Sequence, residues 1–174
     1  MANYCDYYMI VKGEEAHVEE FIRAMSWEDE YEDCGAGRVY GCDVIEKDTD
    51  LDGLTFAVLT GNCAWSILSA MRIATNENNI EKLSARLNLA IEAYSSECGC
   101  EFQEHYCVIN GVIQCDDCID YIEIYIEDLE EIEDSFWEQS WIVEAGVTKE
   151  NALEYAEDDW IKIGGYDSWT WEFV

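Results

Sequence analysis

The chain has 174 residues, the length of one compact domain or of one domain with an extension. Hydrophobic residues make up 49% of it, with 7 Trp, 11 Tyr and 5 Phe, so a core can form and intrinsic disorder is a poor interpretation. The 40 Asp and Glu against 9 Lys and Arg give a formal net charge of −31. This charge excludes broad binding to a nucleic-acid backbone or to an anionic membrane, since both depend on Lys and Arg.

The sequence contains no segment typical of export or membrane insertion. It begins MANYCDYYMIVKGEE, which lacks a basic region followed by an apolar stretch, and it has no run of about 18 apolar residues. Nine cysteines without such a signal are typical of reduced thiols. We therefore expect a cytoplasmic protein.

The first part of the chain predicts a strand, a helix and two further strands. Residues 3–12 are rich in aromatic and β-branched types, and residues 14–27 carry apolar side chains at helical spacing. An acidic loop at 28–33 follows. Residues 38–47 and 54–59 then indicate two strands joined by the polar turn DTDLDG.

The middle of the chain predicts more helix and then a long hairpin. Residues 61–74 and 80–88 have helical spacing, with the polar break TNENN between them, whereas 89–97 alternate apolar and polar residues as a half-buried strand does. Two strand patterns at 101–109 and 112–127 flank Asn110-Gly111, which predicts a type I′ turn because both of its central residues need positive φ.

This order predicts an α+β fold: a ferredoxin-like βαββαβ core with an added C-terminal antiparallel hairpin and an acidic α/β tail. We assign residues 1–127 to the core with its hairpin, and 128–174 to an acidic extension packed on the same domain. In that extension, residues 128–134 start a helix, 149–159 form a helix with Thr148 as N-cap, and two short β segments flank Gly164-Gly165.

The charge is concentrated in one part of the sequence. Residues 87–148 contain no Lys or Arg and 16 Asp and Glu. Within this stretch, alternation predicts one core face and one solvent face for residues 119–127. The core face would carry Ile122, Ile124 and Ile126, and the solvent face Tyr121, Glu123, Tyr125 and Glu127.

Three interpretations of the acidic surface are open. It is a solvated surface without a specific partner, a cation site, or a mimic of nucleic-acid phosphates. DTDLDG begins like an EF-hand loop, but its twelfth position is Leu59 instead of Glu, which favours a turn. A mimic would occupy a basic groove, with neighbouring aromatic side chains supplying contact area: Tyr121, Tyr125, Phe136, Trp137 and Trp141.

Cysteine and histidine offer two weaker possibilities. A hairpin could bring Cys98, Cys100, Cys115 and Cys118 together as zinc ligands, although small hydrophobic side chains at core positions give the same pattern. Cys107 and His105 share a strand face, which makes a thiol nucleophile geometrically feasible, but no residue of the sequence is seen to orient the histidine. The remaining cysteines are read as structural: Cys5, Cys34, Cys42 and Cys63.

Several stretches resemble a family of phage- and plasmid-borne proteins with the YubB-type ferredoxin-like domain. They are MANYCDYYMIVKG at the start, GNCAWSI at 61–67 and GCEFQEHYCVINGVIQCDDCIDYIEIY at 99–125, and IKIGGYDSWTWEF near the end is also similar. The resemblance covers about residues 1–127. It implies a ferredoxin-like fold without an iron–sulfur cluster, and it brings no established activity or catalytic residues. This chain is far more acidic than such proteins usually are.

These observations favour a counter-defence protein of a mobile element, acting in the bacterial host cytoplasm as a nucleic-acid mimic. Its partner would be the basic groove of a nuclease, for which a CRISPR effector is the preferred candidate and a restriction enzyme the second. We expect no direct binding of the protein to nucleic acid. We expect no enzymatic activity and no cofactor. The alternative is a zinc-stapled accessory or regulatory protein. The residues expected to contact the partner are Glu123, Glu127, Asp128, Glu130, Glu131, Glu133 and Asp134.

Overall fold

Eight antiparallel strands form one continuous curled sheet in the computed structural model, which describes residues 4–25, 39–73 and 79–166. The strand order is β2-β3-β1-β4-β5-β6-β8-β7. The strands are β1 (Tyr4–Gly13), β2 (Asp43–Thr49), β3 (Thr55–Ala64), β4 (Ala90–Glu97), β5 (Phe102–Ile109), β6 (Val112–Tyr125), β7 (Ala156–Glu157) and β8 (Trp160–Gly164).

The helices of the described residues are short. They are α1 (Glu15–Met25), α2 (Ile67–Ile73), α3 (Ile80–Leu87), α4 (Asp134–Trp137) and α5 (Ser140–Glu144), with 3₁₀ turns at Cys98–Cys100, Ile126–Glu131 and Ala152–Tyr155. Local chemistry sets both ends of α3. The Asn79 side chain accepts a hydrogen bond from the Lys82 amide at 2.8 Å, and Asn88 adopts the left-handed conformation that ends many helices. No helix among the described ranges is long and apolar enough to cross a membrane.

The predicted fold class is wrong. The chain does not form a ferredoxin-like βαββαβ core with a hairpin added to it, because the sheet extends without interruption through all eight strands. The strand predicted at 89–97 explains the difference. It corresponds to β4, which pairs with β1 on one side and with β5 on the other. It is therefore an interior strand and does not form the edge of a separate, smaller sheet. The hairpin and the tail strands are part of the same sheet.

The structure confirms several predicted elements. They are the strand near 3–12, the start of the first helix, the helix at 80–88 and the hairpin. Asn110 and Gly111 have φ of 50° and 79°, as a type I′ turn requires. Parts of the interpretation lie outside the described residues, namely the end of the first helix, the acidic loop at 28–33 and the last β segment.

Two predicted helices are wrong in extent or in kind. Residues Gly61 to Ala64 continue β3, and the helix begins only at Ile67, after Trp65 with its positive φ of 73°. In the tail, the helix expected at 149–159 is only the 3₁₀ turn at Ala152–Tyr155. The Asn151 side chain explains this, since it bonds to the Thr148 amide at 2.7 Å and to the Gly146 carbonyl at 3.0 Å and so holds the chain in a loop.

Two hydrophobic clusters support the sheet. The larger one packs α1, α2 and α3 against one face of β1, β3, β4 and β5, with fully buried side chains such as Phe21 and Tyr106. The smaller one lies against β6 and β8. Its buried members are Ile124, Leu129, Trp137, Ile142, Val147, Ala152, Ile161 and Ile163.

Alternation along the strands defines a second face, turned away from the large cluster. Ile91 and Ala93 of β4 belong to that cluster, so Glu92 and Tyr94 point to the opposite side. They are nevertheless buried, at 2% and 3% exposure. The prediction of a half-buried strand here is therefore wrong, and a carboxylate is enclosed on the second face.

The Asn110-Gly111 turn gives a test of how the hairpin docks on α3. A Cβ on Gly111 would lie 2.6 Å from Ala85 Cβ, whereas a Cβ on Gly53, which also has positive φ, would meet nothing within 4 Å. We expect Gly53→Ala to cost about 1 kcal/mol from backbone strain. Gly111→Ala should cost roughly 1–3 kcal/mol more, because the contact is added to the same strain. Urea unfolding measures both, and equal losses would contradict this packing.

Candidate functional site

The acidic segment, defined here as residues 127–134, lies where β6 ends. Four of its carboxylates lie on the 3₁₀ helix Ile126–Glu131. Glu133 is the N-cap of α4, and Asp134 is the first residue of that helix. All six predicted contact residues of this segment are exposed: Glu127, Asp128, Glu130, Glu131, Glu133 and Asp134. The structure therefore brings these residues together on one short, solvent-facing turn.

Apolar side chains between the acidic residues anchor the segment. Leu129 and Trp137 are buried in the small cluster together with Ile142. Burying a leucine side chain contributes about 1.5–3 kcal/mol, so the carboxylates are displayed on a packed frame. Trp137 was expected to contribute partner contact, but it is buried at 9% exposure and serves the core instead.

Glu123 differs from the other predicted contact residues. It lies on β6, half-buried, where the Tyr121 hydroxyl donates a hydrogen bond to it and Lys162 Nζ approaches to 4.0 Å. Tyr121, expected on the solvent face, is buried at 6% exposure because Gly165 and the Gln103 side chain lie nearby. Tyr125 of the same predicted face is exposed, and its ring contacts Trp160.

The charge density of the 3₁₀ helix approaches that of a nucleic-acid strand. Ile126–Glu131 contains four carboxylates in six residues. At about 2.0 Å rise per residue the helix is about 12 Å long, which gives one negative charge per ~3 Å. One strand of DNA carries one charge per roughly 3.4 Å of helix axis.

Several ion pairs among the described residues use carboxylates outside the acidic segment. Lys47 pairs with Glu15 and Glu19, Arg86 with Glu20, and Lys162 with Glu157.

Lys12 pairs with Asp50 at 3.0 Å, and Asp50 Oδ1 also accepts the amides of Asp52 and Leu54. These contacts confirm a turn at the end of DTDLDG, from Asp50 to Gly53, whereas Asp48 and Thr49 belong to β2.

Two of the four cysteines proposed as zinc ligands point away from each other. Cys115 and Cys118 lie three residues apart on β6, so alternation places them on opposite faces of the sheet. Among residues 4–25, 39–73 and 79–166, no group of three or more His, Cys, Asp or Glu is arranged to hold a metal ion.

A second cluster of chemical groups lies on the second face, across β4, β5 and β6. His105 Nε2 is 2.8 Å from Glu92 Oε1, and His105 Nδ1 is 3.4 Å from Cys115 Sγ. In the tautomer that carries its proton on Nε2, the imidazole donates a hydrogen bond to Glu92 Oε1. Nδ1 is then an alternative acceptor for the single Cys115 S–H, which can turn to it from Asp117 Oδ2.

Aromatic rings hold the imidazole in place. The Tyr94 ring stacks on His105 with centroids 4.2 Å apart and planes 3° apart, and Tyr166 meets both rings edge-on. The Tyr94 hydroxyl donates to the same Glu92 oxygen at 3.2 Å. Two buried polar atoms of this cluster, Glu92 Oε2 and the Tyr166 hydroxyl oxygen, have no hydrogen-bond partner in the described part of the chain.

The thiol of Cys115 is held in its neutral form. Burial, followed by the hydrogen bond to Asp117 Oδ2 at 3.2 Å and the charge of that carboxylate, raises the pKa of Cys115 to about 11. Burial likewise raises the pKa of Cys107, which lies opposite Cys115 on β5, to about 11. The sequence offered Cys107 with His105 as a weak possibility, whereas the thiol that the structure places against the imidazole is Cys115.

A β-bulge explains why sequence reasoning missed this pair. A regular two-residue hairpin would set Cys107 opposite Gln114, but the register shifts after Val108↔Ile113, so that Cys107 faces Cys115. The shift turns Cys115 onto the second face beside His105. Glu92 was overlooked because a carboxylate in a strand normally indicates a solvent face.

Comparison with known proteins identifies no relative of this chain. No family model, no curated protein and no solved structure matches it.

The Cys115–Asp117 contact predicts the effect of a charge change. We expect Asp117→Asn to lower the pKa of Cys115 from about 11, because the amide removes the negative charge that disfavours the thiolate. Ultraviolet thiolate absorbance followed against pH measures the shift. Asp116→Asn on the opposite face of β6 is the matched control, and an equal shift in both variants would contradict the assigned cause.

Proposed function

We propose that the protein acts as a nucleic-acid mimic that binds and inhibits a nuclease through the acidic segment. The observation that carries this proposal is the 3₁₀ helix Ile126–Glu131, whose carboxylates are exposed at a charge spacing close to that of a DNA strand. Glu133 and Asp134 extend the same charged surface into α4. A basic groove built for phosphates would accept it by electrostatic complementarity.

The packing of the segment supports this function. A flexible acidic tail would lose conformational entropy on binding, whereas a segment anchored by Leu129 and Trp137 is already ordered. The net charge of −31 adds long-range attraction to a cationic partner and increases the association rate. This long-range electrostatic attraction weakens as the salt concentration increases.

The biological setting is part of the proposal. The resemblance of residues 1–127 to phage- and plasmid-borne proteins favours a mobile element that acts in the cytoplasm of a bacterial host. Nucleases of host defence are the basic-grooved enzymes that such an element must avoid. Among the candidate target nucleases, we favour a CRISPR effector over a restriction enzyme.

Charge reversal tests the proposal directly. The four residues Glu127, Asp128, Glu130 and Glu131 are changed to Lys, and DNA cleavage by a guide-loaded CRISPR effector and by a restriction enzyme is titrated with the variant protein. We expect the concentration for half-inhibition to increase at least about tenfold, because the four charges that match the groove are reversed.

A control with the same change in net charge separates local from global effects. It reverses Asp43, Glu46, Asp48 and Asp52, which lie at the opposite end of the sheet, on β2 and its turn. This variant should inhibit as the unchanged protein does. Equal loss in both variants would show that only total charge matters, and full inhibition by the first variant would refute the proposal.

A further inference from the structure

The cluster around His105 has the parts of a thiol-nucleophile site. Cys115, His105 and Glu92 lie side by side on the neighbouring strands β6, β5 and β4. The distance from Cys115 Sγ to His105 Nδ1 is 3.4 Å, and that from His105 Nε2 to Glu92 Oε1 is 2.8 Å. A nucleophile, a base within hydrogen-bond reach and a third group that orients the base are the geometric requirements for covalent catalysis.

We propose that this site forms an acyl-enzyme intermediate at Cys115. Its substrates would be esters or thioesters with an uncharged or cationic acyl group. In this activity Cys115 is the nucleophile, His105 the general base and then acid, and Glu92 a positioning residue that fixes the ring. The activity is independent of the acidic segment and of its partner.

The surroundings of the sulfur restrict the acyl group. The Asp117 carboxylate is 3.2 Å from Sγ, and Glu92 lies behind the imidazole. An anionic acyl group would be repelled by both carboxylates at this distance, whereas a neutral or cationic group would not. The rings of Tyr94 and Tyr166 provide an apolar surface next to the base.

The orphaned polar atoms give independent support for a ligand. Glu92 is 2% exposed, and its Oε2 accepts no hydrogen bond within the described ranges. The Tyr166 side chain is partly exposed, but its hydroxyl oxygen is buried and has no partner there either. Buried polar groups are normally paired, so a cluster with two unpaired atoms is suited to a polar ligand. The Tyr166 O–H is a donor available to the acyl oxygen.

The reaction balances with these groups alone. As the bond from Sγ to the acyl carbon forms, the thiol proton moves to His105 Nδ1. The carbon–oxygen or carbon–sulfur bond of the substrate then breaks, and the leaving group takes that proton. Water next attacks the thioester and passes a proton to Nδ1. The bond to Sγ breaks, and the thiolate recovers the proton, so that one ester and one water yield one acid and one alcohol or thiol.

The experiment uses p-nitrophenyl acetate with the full chain under reducing conditions, and intact-mass and peptide mass spectrometry locate the acetyl group. We expect acetylation at Cys115, with loss of the adduct in Cys115→Ser. Cys118→Ser is the matched control, since this thiol is more exposed but lies on the other face. Acetylation of Cys118 or Cys100 as fast as of Cys115 would overturn the proposal.

Three further variants separate catalysis from structure. His105→Asn should slow acetylation about a hundredfold, the size of a general-base contribution. Glu92→Gln should lower kcat for p-nitrophenyl acetate and leave its KM unchanged, because this ester has no cationic group for Oε2 to bind and Glu92 then acts only by orienting the base. Tyr166→Phe should lower kcat about tenfold or more. Circular dichroism checks that each variant is folded. Unchanged rates in a folded His105→Asn variant would refute the role of the base.

A charged ester tests the substrate class. The p-nitrophenyl monoester of a dicarboxylic acid carries an anionic acyl group, and it should acylate Cys115 at least about tenfold more slowly than p-nitrophenyl acetate. Removing the repulsion with Asp117→Asn should narrow this difference. Equal rates with the two esters in the unchanged protein would refute the assigned preference.

Discussion

The continuous pairing of β6 is the constraint on which the rest of the structure depends. Its first part pairs with β5 from Val112 to Asp120, and its last part pairs with β8 from Tyr121 to Tyr125. One strand therefore joins the sheet that packs on α1–α3 to the strands of the small hydrophobic cluster. It also carries Cys115 on the second face and leads directly into the acidic segment.

Both proposed sites follow from this strand but depend on different physics. In the proposed function the acidic segment would attract its partner at long range, through carboxylates that face solvent on a helix held by buried apolar side chains. The His105 cluster would act at short range, through one carboxylate enclosed among aromatic rings, where a hydrogen bond is stronger than in water. A protein of this charge can thus have a chemically specific site in addition to its electrostatic surface.

Sequence patterns predicted the local elements better than their assembly. The Asn110-Gly111 turn and the period-two strands around it are dictated by backbone conformation and burial, so the hairpin could be predicted. The fold could not, because nothing local indicates that β4 pairs on both sides and the sheet continues. The exposed residues of the acidic segment could be named from composition. The pairing of Cys115 with His105 could not, since it depends on one bulge that changes the register.

The central claim is that a cationic groove binds this protein through its carboxylates, and the salt dependence of that binding tests it most directly. The dissociation constant for a basic-grooved nuclease is measured across a series of NaCl concentrations, with and without competing DNA. The account predicts a steep loss of affinity as salt increases, with DNA and the protein excluding each other. Affinity that is independent of salt, or simultaneous binding of DNA and the protein, would contradict it.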